Sequence, residues 1–446
     1  MPYNGTLLTA AVVTVRDEKK RDMLHAACPC AWPRASTACD SRCHDRELFL
    51  ENMEQQITLE NVITVANYIE ALKSCKKAVG YKFSVQNYIA HGLFYIGQTV
   101  SIIRSGKIPA VKNTEKVTIS ERGHKRVITP IRIEDRVTQR VLCDKVLVPL
   151  AEKKMIYDNG ASVKGKGTDF SRRRMNEHIE AAKRRWGADN VYALKFDFKS
   201  FFASIPHAQC FRVLDELIED KRLRDLIIGI IESYQLEDIK RIEDPELRKK
   251  ELRSLLSHEK VGICLGSQIS QVMALLVPTD FDHFIKDKLG LKFYVRHMDD
   301  GVILLNDKNE LARIRELLKV EAAKYGLTLH PKKTKIVKMT KGITFLKVKY
   351  RISNGKTVKT LARSGIVRMR RKLKKFSGMV GKTKLTKDDV YVSVQSWAAH
   401  ARAARSYHSV RNMMKLYDEL FGGYRITFRY WRIHKDIKRK RKVLRL

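Results

Sequence analysis

The 446-residue chain has no apolar run of the roughly 20 residues that a membrane-spanning helix needs. The apolar stretch TLLTAAVVTV near the start lacks the preceding positive charges of a signal peptide. The spacing of the eight cysteines gives no indication of an oxidising compartment. These absences argue against a membrane or secreted protein and predict a cytoplasmic one.

Acidic residues are scarce relative to basic ones, with 49 Asp and Glu against 88 Lys and Arg and a formal net charge of +39. From Pro331 to Leu446 the counts are 5 acidic and 34 basic, a net charge of +29 in the last 116 residues. A basic field this concentrated favours a polyanionic partner, and nucleic acid is the usual one. An anionic membrane surface is the alternative, and we expect no membrane partner.

Four cysteines lie close together in HAACPCAWPRASTACDSRCHD, with His25 and His44 beside them. These residue types could form a zinc site, but CxC followed by CxxxC departs from the usual spacing of zinc fingers. The alternative is a disordered leader, or residues upstream of the true start, because a better-patterned segment opens at Met53.

Apolar periodicity divides the rest of the chain into alternating helical and extended segments, with no internal repeat. The pattern predicts helices over 54–110, a basic β-leaning stretch and an amphipathic helix over 114–150, an apolar strand over 191–196, charged helices over 208–258, and basic helices after Thr360.

Two adjacent carboxylates, Asp299 and Asp300, lie inside the apolar run KFYVRHMDDGVILL, which we interpret as strand, turn, strand. Burial of an unpaired carboxylate is costly, so a partner is expected. Asp197 ends another apolar strand about 100 residues earlier. If the two strands are neighbours, three carboxylates meet and can hold hard divalent cations for phosphoryl transfer. The alternative is a solvated hairpin tip.

Further motifs surround these aspartates in a fixed order: FDFKSFFASIPH, GICLGSQISQ, YVRHMDDG, GLTLHPKKTKI and ITFLKVKY. Together they resemble bacterial reverse transcriptases of the group II intron, retron and diversity-generating retroelement kind. The resemblance covers roughly residues 60 to 420. It implies an α+β fold of the right-hand polymerase type, with fingers, an antiparallel palm sheet and a helical thumb.

The resemblance also implies catalytic roles. Asp197, Asp299 and Asp300 match the metal ligands for two Mg²⁺ ions, for which Mn²⁺ can substitute. Lys333 matches a lysine near the pyrophosphate leaving group, where it acts as a general acid or as a charge stabiliser.

Nucleotide-binding roles follow from the same motifs. Phe202 matches a steric gate that excludes a 2′-hydroxyl, although a core phenylalanine is the alternative. Lys125 and Arg126 would face the triphosphate, unless they belong to a generic basic strand. Gln271 completes the nucleotide-binding set.

Template and primer contacts are implied at five positions: Lys164, Lys166, Gly266, Ser270 and Lys347. The two lysines lie in a Gly/Lys-rich loop, Gly266 and Ser270 lie in the motif that backs the templating base, and Lys347 replaces the usual glycine of a primer-grip hairpin. Trp397 and His400 match a thumb helix, where we interpret both as core residues.

The chain departs from the family pattern at two informative places. His297 stands where the Tyr-x-Asp-Asp box usually has tyrosine, which affects how the primer end and the nucleotide pack. Ser270–Gln271 is more typical of diversity-generating and phage-defence enzymes than the Ser-Pro of retrons and introns.

We expect an RNA-directed DNA polymerase that acts on an RNA template, a DNA or RNA primer and dNTPs, with an accessory protein or structured non-coding RNA as further partner. The alternatives are a phage-defence enzyme that makes untemplated or protein-primed DNA, an RNA polymerase of the same palm fold, and a catalytically dead scaffold. The predicted divisions are a leader (1–52), N-terminal helices and fingers (53–190), a palm (191–350) with a helical insertion at about 208–258, and a basic thumb and tail (351–446).

Overall fold

The computed structural model describes residues 57–423, except 78, 110–115, 122, 123, 403 and 405. The predicted leader with its cysteine cluster therefore lies outside the described residues. From Leu59 to Gly423 the described residues form one compact unit.

Four helices open the described chain: α1 (Leu59–Val62), α2 (Val65–Cys75), α3 (Phe83–Ala90) and α4 (Gly92–Arg104). The hydroxyl of Thr64 caps α2 by accepting the backbone N–H of Asn67, which satisfies one of the free donors of the first turn. The buried Tyr68 of α2 reaches Thr138 at 3.3 Å, so these helices pack against the segment that follows the first β-hairpin.

That hairpin consists of β1 (Val117–Glu121) and β2 (His124–Ile128), which pair antiparallel. A helical layer follows: α5 (Ile133–Leu142), a π-helical turn (Cys143–Leu147), α6 (Val148–Lys154) and α7 (Thr168–Trp186).

A four-stranded antiparallel sheet forms the centre of the molecule, with strand order β4-β5-β3-β6. Its strands are β3 (Tyr192–Asp197), β4 (Tyr294–His297), β5 (Asp300–Leu305) and β6 (Lys335–Lys338). The inner strands β3 and β5 are largely buried, which explains why their sequences read as continuous apolar runs.

Helices pack around this sheet: α8 (Phe201–Ser204), α9 (His207–Leu217), α10 (Lys221–Lys240), α11 (Pro245–Leu256), α12 (Gln268–Leu276), α13 (Thr279–His283) with a π-helical turn (Phe284–Lys288), and α14 (Lys308–Lys324). Three of them begin at aspartates whose carboxylates accept first-turn backbone N–H groups, namely Asp220, Asp244 and Asp307.

The C-terminal part contains a second antiparallel sheet and three helices: β7 (Ile343–Phe345), β8 (Val348–Ser353), β9 (Lys356–Leu361), α15 (Arg363–Ser377), α16 (Lys387–Arg402) and α17 (Tyr407–Phe421). The predicted palm–thumb boundary at 350/351 falls inside β8. The alternation of buried and solvent-facing residues continues through VKYRIS, so the strand cannot be divided there.

Within the described part of the chain, no helix is both long enough and apolar enough to cross a membrane. The predicted α+β class is confirmed by the mixture of antiparallel sheets and packed helices.

Candidate active site

Three carboxylates lie at one end of the central sheet. Asp197, the last residue of β3, is the cross-strand partner of Asp300, the first residue of β5. Directly opposed residues on neighbouring strands project from the same face, so these two side chains lie side by side. Asp299 precedes Asp300 in the turn, and its carbonyl accepts the backbone N–H of Phe198 at 3.2 Å. We refer to Asp197, Asp299 and Asp300 as the carboxylate site.

Two lysines approach the carboxylate site. Lys333 Nζ donates to Asp197 Oδ1 at 2.8 Å, and Lys195 Nζ lies 2.9 Å from Asp300 Oδ1 while also donating to the carbonyl of Thr344. Two ammonium groups therefore face three carboxylates.

The excess of negative charge appears in the pKa values of the site. Burial, followed by the charges of Asp197 and Asp300, raises the pKa of Asp299 to about 6. Burial also raises the pKa of Asp300, and the hydrogen bond to Asp197 raises the pKa of Lys333. A site in which carboxylates repel one another favours an additional cation.

A buried arginine holds the turn in place. The side chains of Arg296 and Asp282 are fully buried and form an ion pair with an Nη2–Oδ2 distance of 2.7 Å. Arg296 Nη1 donates to the carbonyl of Met298, a turn residue with φ of 57°, at 2.9 Å. Tyr294 donates its hydroxyl proton to Asp282 Oδ1 at 2.7 Å. We call Arg296, Asp282 and Tyr294 the arginine anchor.

Sequence reasoning missed the arginine anchor. The available signal was Arg296 itself, a charged side chain in an apolar strand three residues before Asp299. Buried charges need a partner, so this position required one as much as the aspartates did.

The glycine after the two aspartates is required by packing. Gly301 lies opposite Phe196 on β3, and a Cβ added to Gly301 would lie 2.1 Å from Cζ of that ring. The aromatic ring therefore covers the glycine directly, and a larger residue would push β5 away from β3.

Near the carboxylate site, Phe202 is half-buried, whereas its neighbour Phe201 belongs to the core. The carbonyl of Phe202 accepts the backbone N–H of Ile263 at 2.9 Å, which ties α8 to the glycine-containing loop. In that loop Gly266, at φ of 129°, lies so close to Thr129 that an added Cβ would be 2.4 Å from its carbonyl oxygen. The structure thus joins the end of the fingers hairpin, the loop and the α8 segment.

The model of one protein family, described as reverse transcriptase (RNA-dependent DNA polymerase), matches residues 112–350. This match spans more than half of the chain. The chain belongs to the reverse transcriptase family. The right-hand polymerase fold and the nucleotidyltransferase class predicted from the sequence are those of this family.

Solved structures with similarity to the chain include telomerases from two Candida species. Apo telomerase from Candida tropicalis truncated from the C-terminal domain is 14% identical, with a TM-score of 0.40 and 60% of each chain covered. Telomerase from Candida albicans in complex with the TWJ fragment of telomeric RNA is 14% identical, with a TM-score of 0.42, over 78% of this chain and 62% of that one. The chain spans less than two thirds of both telomerase chains. No curated protein matches by sequence.

Two residues of this reverse transcriptase for which we predicted template or primer contacts are engaged within the protein. Ser270 is only 3% exposed, because it lies on the inner side of the first turn of α12, while the next residue, Gln271, is exposed. Lys166 donates to the carbonyls of Tyr157 and Asn159, and its ammonium lies 5.0 Å from the centroids of the Tyr157 and Phe170 rings. Lys166 is thus engaged in holding its own loop, whereas Lys164 is exposed.

On the fingers hairpin of the reverse transcriptase, Arg126 is exposed and lies three residues before Thr129. The side chain of Lys125 is outside what the structure describes. The triphosphate contact proposed for both residues stays a prediction.

The turn between β7 and β8 faces a cavity of about 600 Å³ that reaches the carboxylate site. Leu346 and Lys347 form this turn with φ of 47° and 69°, a region that favours glycine. Trp397 and His400, which we predicted to be core residues, are half-buried and line the cavity together with Lys347 and Asp300. Trp397 also packs against the hydrophobic core, so it contributes to the core as well as to the cavity wall.

At the unusual histidine of the Tyr-x-Asp-Asp box, the ring of His297 is the cross-strand neighbour of Asp300. Its Nδ1 lies 2.9 Å from Ser171 Oγ. Burial, followed by the charges of Arg296 and Arg172, lowers the pKa of His297 to about 4. The ring is therefore neutral at pH 7 and adds no positive charge to the site.

Reverse transcriptases use divalent metal, so the donors of the carboxylate site should suit such an ion. Among the described residues no group of three or more His, Cys, Asp or Glu has the geometry of a preassembled metal site. Asp300 Oδ1 is nevertheless buried and accepts no hydrogen bond of suitable angle, although Lys195 Nζ is 2.9 Å away. Carboxylate oxygens are the donors that Mg²⁺ prefers. The donor atoms of the carboxylate site therefore suit a divalent ion. In this structure Lys333 and Lys195 neutralise part of the negative charge that such an ion would neutralise.

Proposed function

We propose that this reverse transcriptase is a templated RNA-directed DNA polymerase of a bacterial or phage retroelement that adds dNTPs to a primer. The observation that carries the proposal is the convergence of Asp197, Asp299 and Asp300 at one end of the central sheet, in a chain of this family. We assign Asp197, Asp299 and Asp300 as the ligands of two Mg²⁺ ions, with Mn²⁺ as a substitute. Bound there, the ions would neutralise the charge that develops on the attacking and leaving oxygens.

Lys333 is assigned to the leaving group. Its ammonium is hydrogen-bonded to Asp197, and its pKa is raised, so it carries a proton at neutral pH. A protonated lysine next to the developing pyrophosphate would stabilise its charge or donate a proton. Lys195 would hold Asp300 in position from the same strand as Asp197.

The substrate is assigned to the surfaces around the carboxylate site. Lys125 and Arg126 are assigned to the triphosphate, and Phe202 to the underside of the sugar. The exposed Gln271 is the residue of the α12 start that a nucleotide can reach. The β7–β8 turn with Lys347 is assigned to the primer, because it faces the cavity that extends to Asp300.

The basic C-terminal helices are assigned to the phosphates of the template–primer hybrid. On α15 the buried residues are Met369 and Leu373, which leaves its many arginines and lysines towards solvent. Such a helix follows a phosphate backbone without reading its sequence. The proposal places the enzyme in the cytoplasm, with RNA template, DNA or RNA primer, dNTPs and an accessory protein or structured RNA as partners.

The experiment is primer extension on an RNA template with dNTPs and then with rNTPs. For Phe202→Ala we expect rNTP use relative to dNTP use to rise at least about tenfold, because the ring excludes the 2′-hydroxyl by its bulk. Phe202→Tyr keeps the ring and serves as the matched control, with an unchanged preference.

Wild-type preference for rNTPs would instead make the chain an RNA polymerase, and an unmoved preference in Phe202→Ala would make Phe202 a packing residue. A parallel reaction without template tests the phage-defence alternative to which Ser270–Gln271 points. Equal DNA synthesis with and without RNA would overturn templated synthesis.

A further inference from the structure

Helices α3 and α4 present aromatic side chains to solvent. Tyr81 and Phe83, at the start of α3, are 76% and 84% exposed, and Phe94 on α4 is 69% exposed. Tyr81 and Phe83 are separated by one residue, Lys82, so their Cα atoms lie at most about 7 Å apart, and Phe94 lies on the next helix. Large exposed rings in one region mark an interaction site. We call Tyr81, Phe83 and Phe94 the aromatic surface.

The sequence segment that carries the aromatic surface has charges of one sign. Between Glu70 and Glu115 the sequence contains no acidic residue, but it contains seven lysines and arginines. This segment is complementary to a polyanion.

A cavity of about 670 Å³ adjoins the aromatic surface, because Lys82 lies between Tyr81 and Phe83 in the chain and lines the cavity. Arg132, the residue before α5, and Arg136, within α5, also line the cavity. The exposed Ser84 adds a hydroxyl. The remaining walls are apolar: Val79, Val85, Val117, Pro130, Ile131 and Ile133.

Among the described residues, no acidic side chain lines this cavity. Glu134 and Asp135 lie between the two arginines in sequence, yet neither is among the lining residues. None of the residues of the carboxylate site lines it either, so the cavity is separate from the proposed chemistry.

Exposed rings beside a cluster of cations have the composition of a single-strand nucleic acid site, in which bases stack on rings and phosphates meet cations. A duplex cannot use the rings, because its bases are already stacked. We propose that the aromatic surface and the adjoining cavity bind an unpaired RNA segment, with bases on the rings of Tyr81 and Phe83 and a phosphate at Lys82, Arg132 and Arg136. The choice of RNA over DNA rests on the proposed function.

The test uses the full chain and a labelled, unstructured single-stranded RNA of about 12 nucleotides, a length within the range of one single-strand site. Fluorescence anisotropy gives Kd at several salt concentrations. For the double variant Tyr81→Ala with Phe83→Ala we expect binding at least about thirtyfold weaker, since each lost stack removes affinity independently of sequence. For Lys82→Ala the log–log salt slope should fall in magnitude by about 0.7, as for one lost phosphate contact.

A matched control removes one charge and one exposed apolar side chain elsewhere. Leu256 is 71% exposed and Lys249 is exposed, both on α11, so Lys249→Ala with Leu256→Ala should leave Kd unchanged. Equal Kd for wild type and the double ring variant would overturn the proposal. Equal affinity for DNA of the same sequence would overturn the choice of RNA.

Two further readouts distinguish RNA binding at the aromatic surface from a failed polymerase and from a contact between copies of the chain. Primer extension on a template with a long unpaired 5′ region should show a raised KM in the ring variant, while a template that ends just beyond the primer should not.

If the wild type extends neither template, the proposed polymerase function is wrong. The RNA-binding measurement still decides whether the aromatic surface binds RNA. Self-association of the wild type that the ring variant abolishes would make this face a contact between copies and overturn the RNA assignment.

Discussion

The carboxylate site and the arginine anchor are neighbours in the chain with opposite charge balance. In the anchor, Asp282 accepts hydrogen bonds from Arg296 Nε and Nη2 and from the tyrosine hydroxyl, so its charge is matched within the protein. In the carboxylate site, three carboxylates share two lysines, and the pKa of Asp299 rises. The comparison indicates that the neutralised ion pair of Arg296 and Asp282 fixes the turn that carries Asp299, whose site retains an excess of negative charge.

The matched region extends beyond the anchor into the loop between α6 and α7, which contains Asp158. The carboxylate of Asp158 accepts hydrogen bonds from Arg174 Nε at 2.5 Å and from Lys286 Nζ at 2.7 Å. His178 Nε2 lies 3.2 Å from its Oδ2. The carbonyl of Asp158 accepts the backbone N–H of Arg296 at 3.3 Å. Buried charges with several partners resist rearrangement, because loss of one partner leaves another charged group buried without compensation. We therefore expect the two regions to respond oppositely to substitution.

The largest effect is expected for Asp299→Asn, which removes one carboxylate from the unmatched region. Primer extension on an RNA template should fall by at least about a thousandfold, because charge neutralisation at the reacting phosphate is the main catalytic contribution in such sites. Binding of the template–primer hybrid, measured by anisotropy, should persist. Unchanged extension would remove Asp299 from the site.

The same variant should also be more stable than the wild type in metal-free buffer. A carboxyl pKa raised to about 6 in the folded state means that ionisation at pH 7 costs about 3 kcal/mol of folding free energy. Wild-type stability should therefore rise as pH falls from 7 towards 5, and its thermal midpoint should approach that of Asp299→Asn. A wider gap at low pH would contradict this assignment.

The carboxylate site was largely predictable from sequence, because it depends on local signals. Apolar runs that end at Asp197 and surround Asp299 predict strands and a turn, and strand ends with carboxylates predict their meeting. The arginine anchor was not predictable in the same way, because Asp282 approaches Arg296 only once α13 packs beneath β4. The burial of Ser270 and the half-buried position of Trp397 depend on how each helix is rotated, which sequence spacing alone does not determine.

A second, smaller effect is expected in the matched region. Arg296→Met keeps much of the side-chain length but leaves Asp282 buried without its cation, and we expect a loss of about 3 to 5 kcal/mol in unfolding free energy. Adding Asp282→Leu to this variant should recover part of that loss, since both charges are then absent. Urea unfolding measures each value. A double variant no more stable than Arg296→Met would show that the anchor acts through geometry rather than charge.

Acid should reveal a third effect, at Asp158. Burial acts to raise the pKa of this carboxyl, but hydrogen bonds from His178 and Arg174 outweigh it and hold the pKa well below its usual range. A folded-state pKa below that of the unfolded chain, about 3.9, gives stability that is present above about pH 4 and lost as pH falls further. Asp158→Asn should therefore cost about 2 kcal/mol or more at pH 7 and have a shallower acid transition. Parallel acid transitions in both proteins would contradict the pairing.

The smallest effect is expected for Lys333, which neutralises part of the negative charge of the carboxylate site. Its side chain is 55% exposed, so its ion pair with Asp197 should contribute no more than about 1 kcal/mol to stability. Lys333→Met removes an ammonium that competes with metal for Asp197. We therefore expect Mg²⁺ and Mn²⁺ to raise the thermal midpoint at lower concentration than in the wild type, while extension slows because the leaving group loses its cation. Lys332→Met removes the same charge from the exposed neighbouring residue and should change neither property. If Lys333→Met needs more metal than the wild type, the lysine assists the metal instead of substituting for it, and the carboxylate site is better matched than its pKa values indicate.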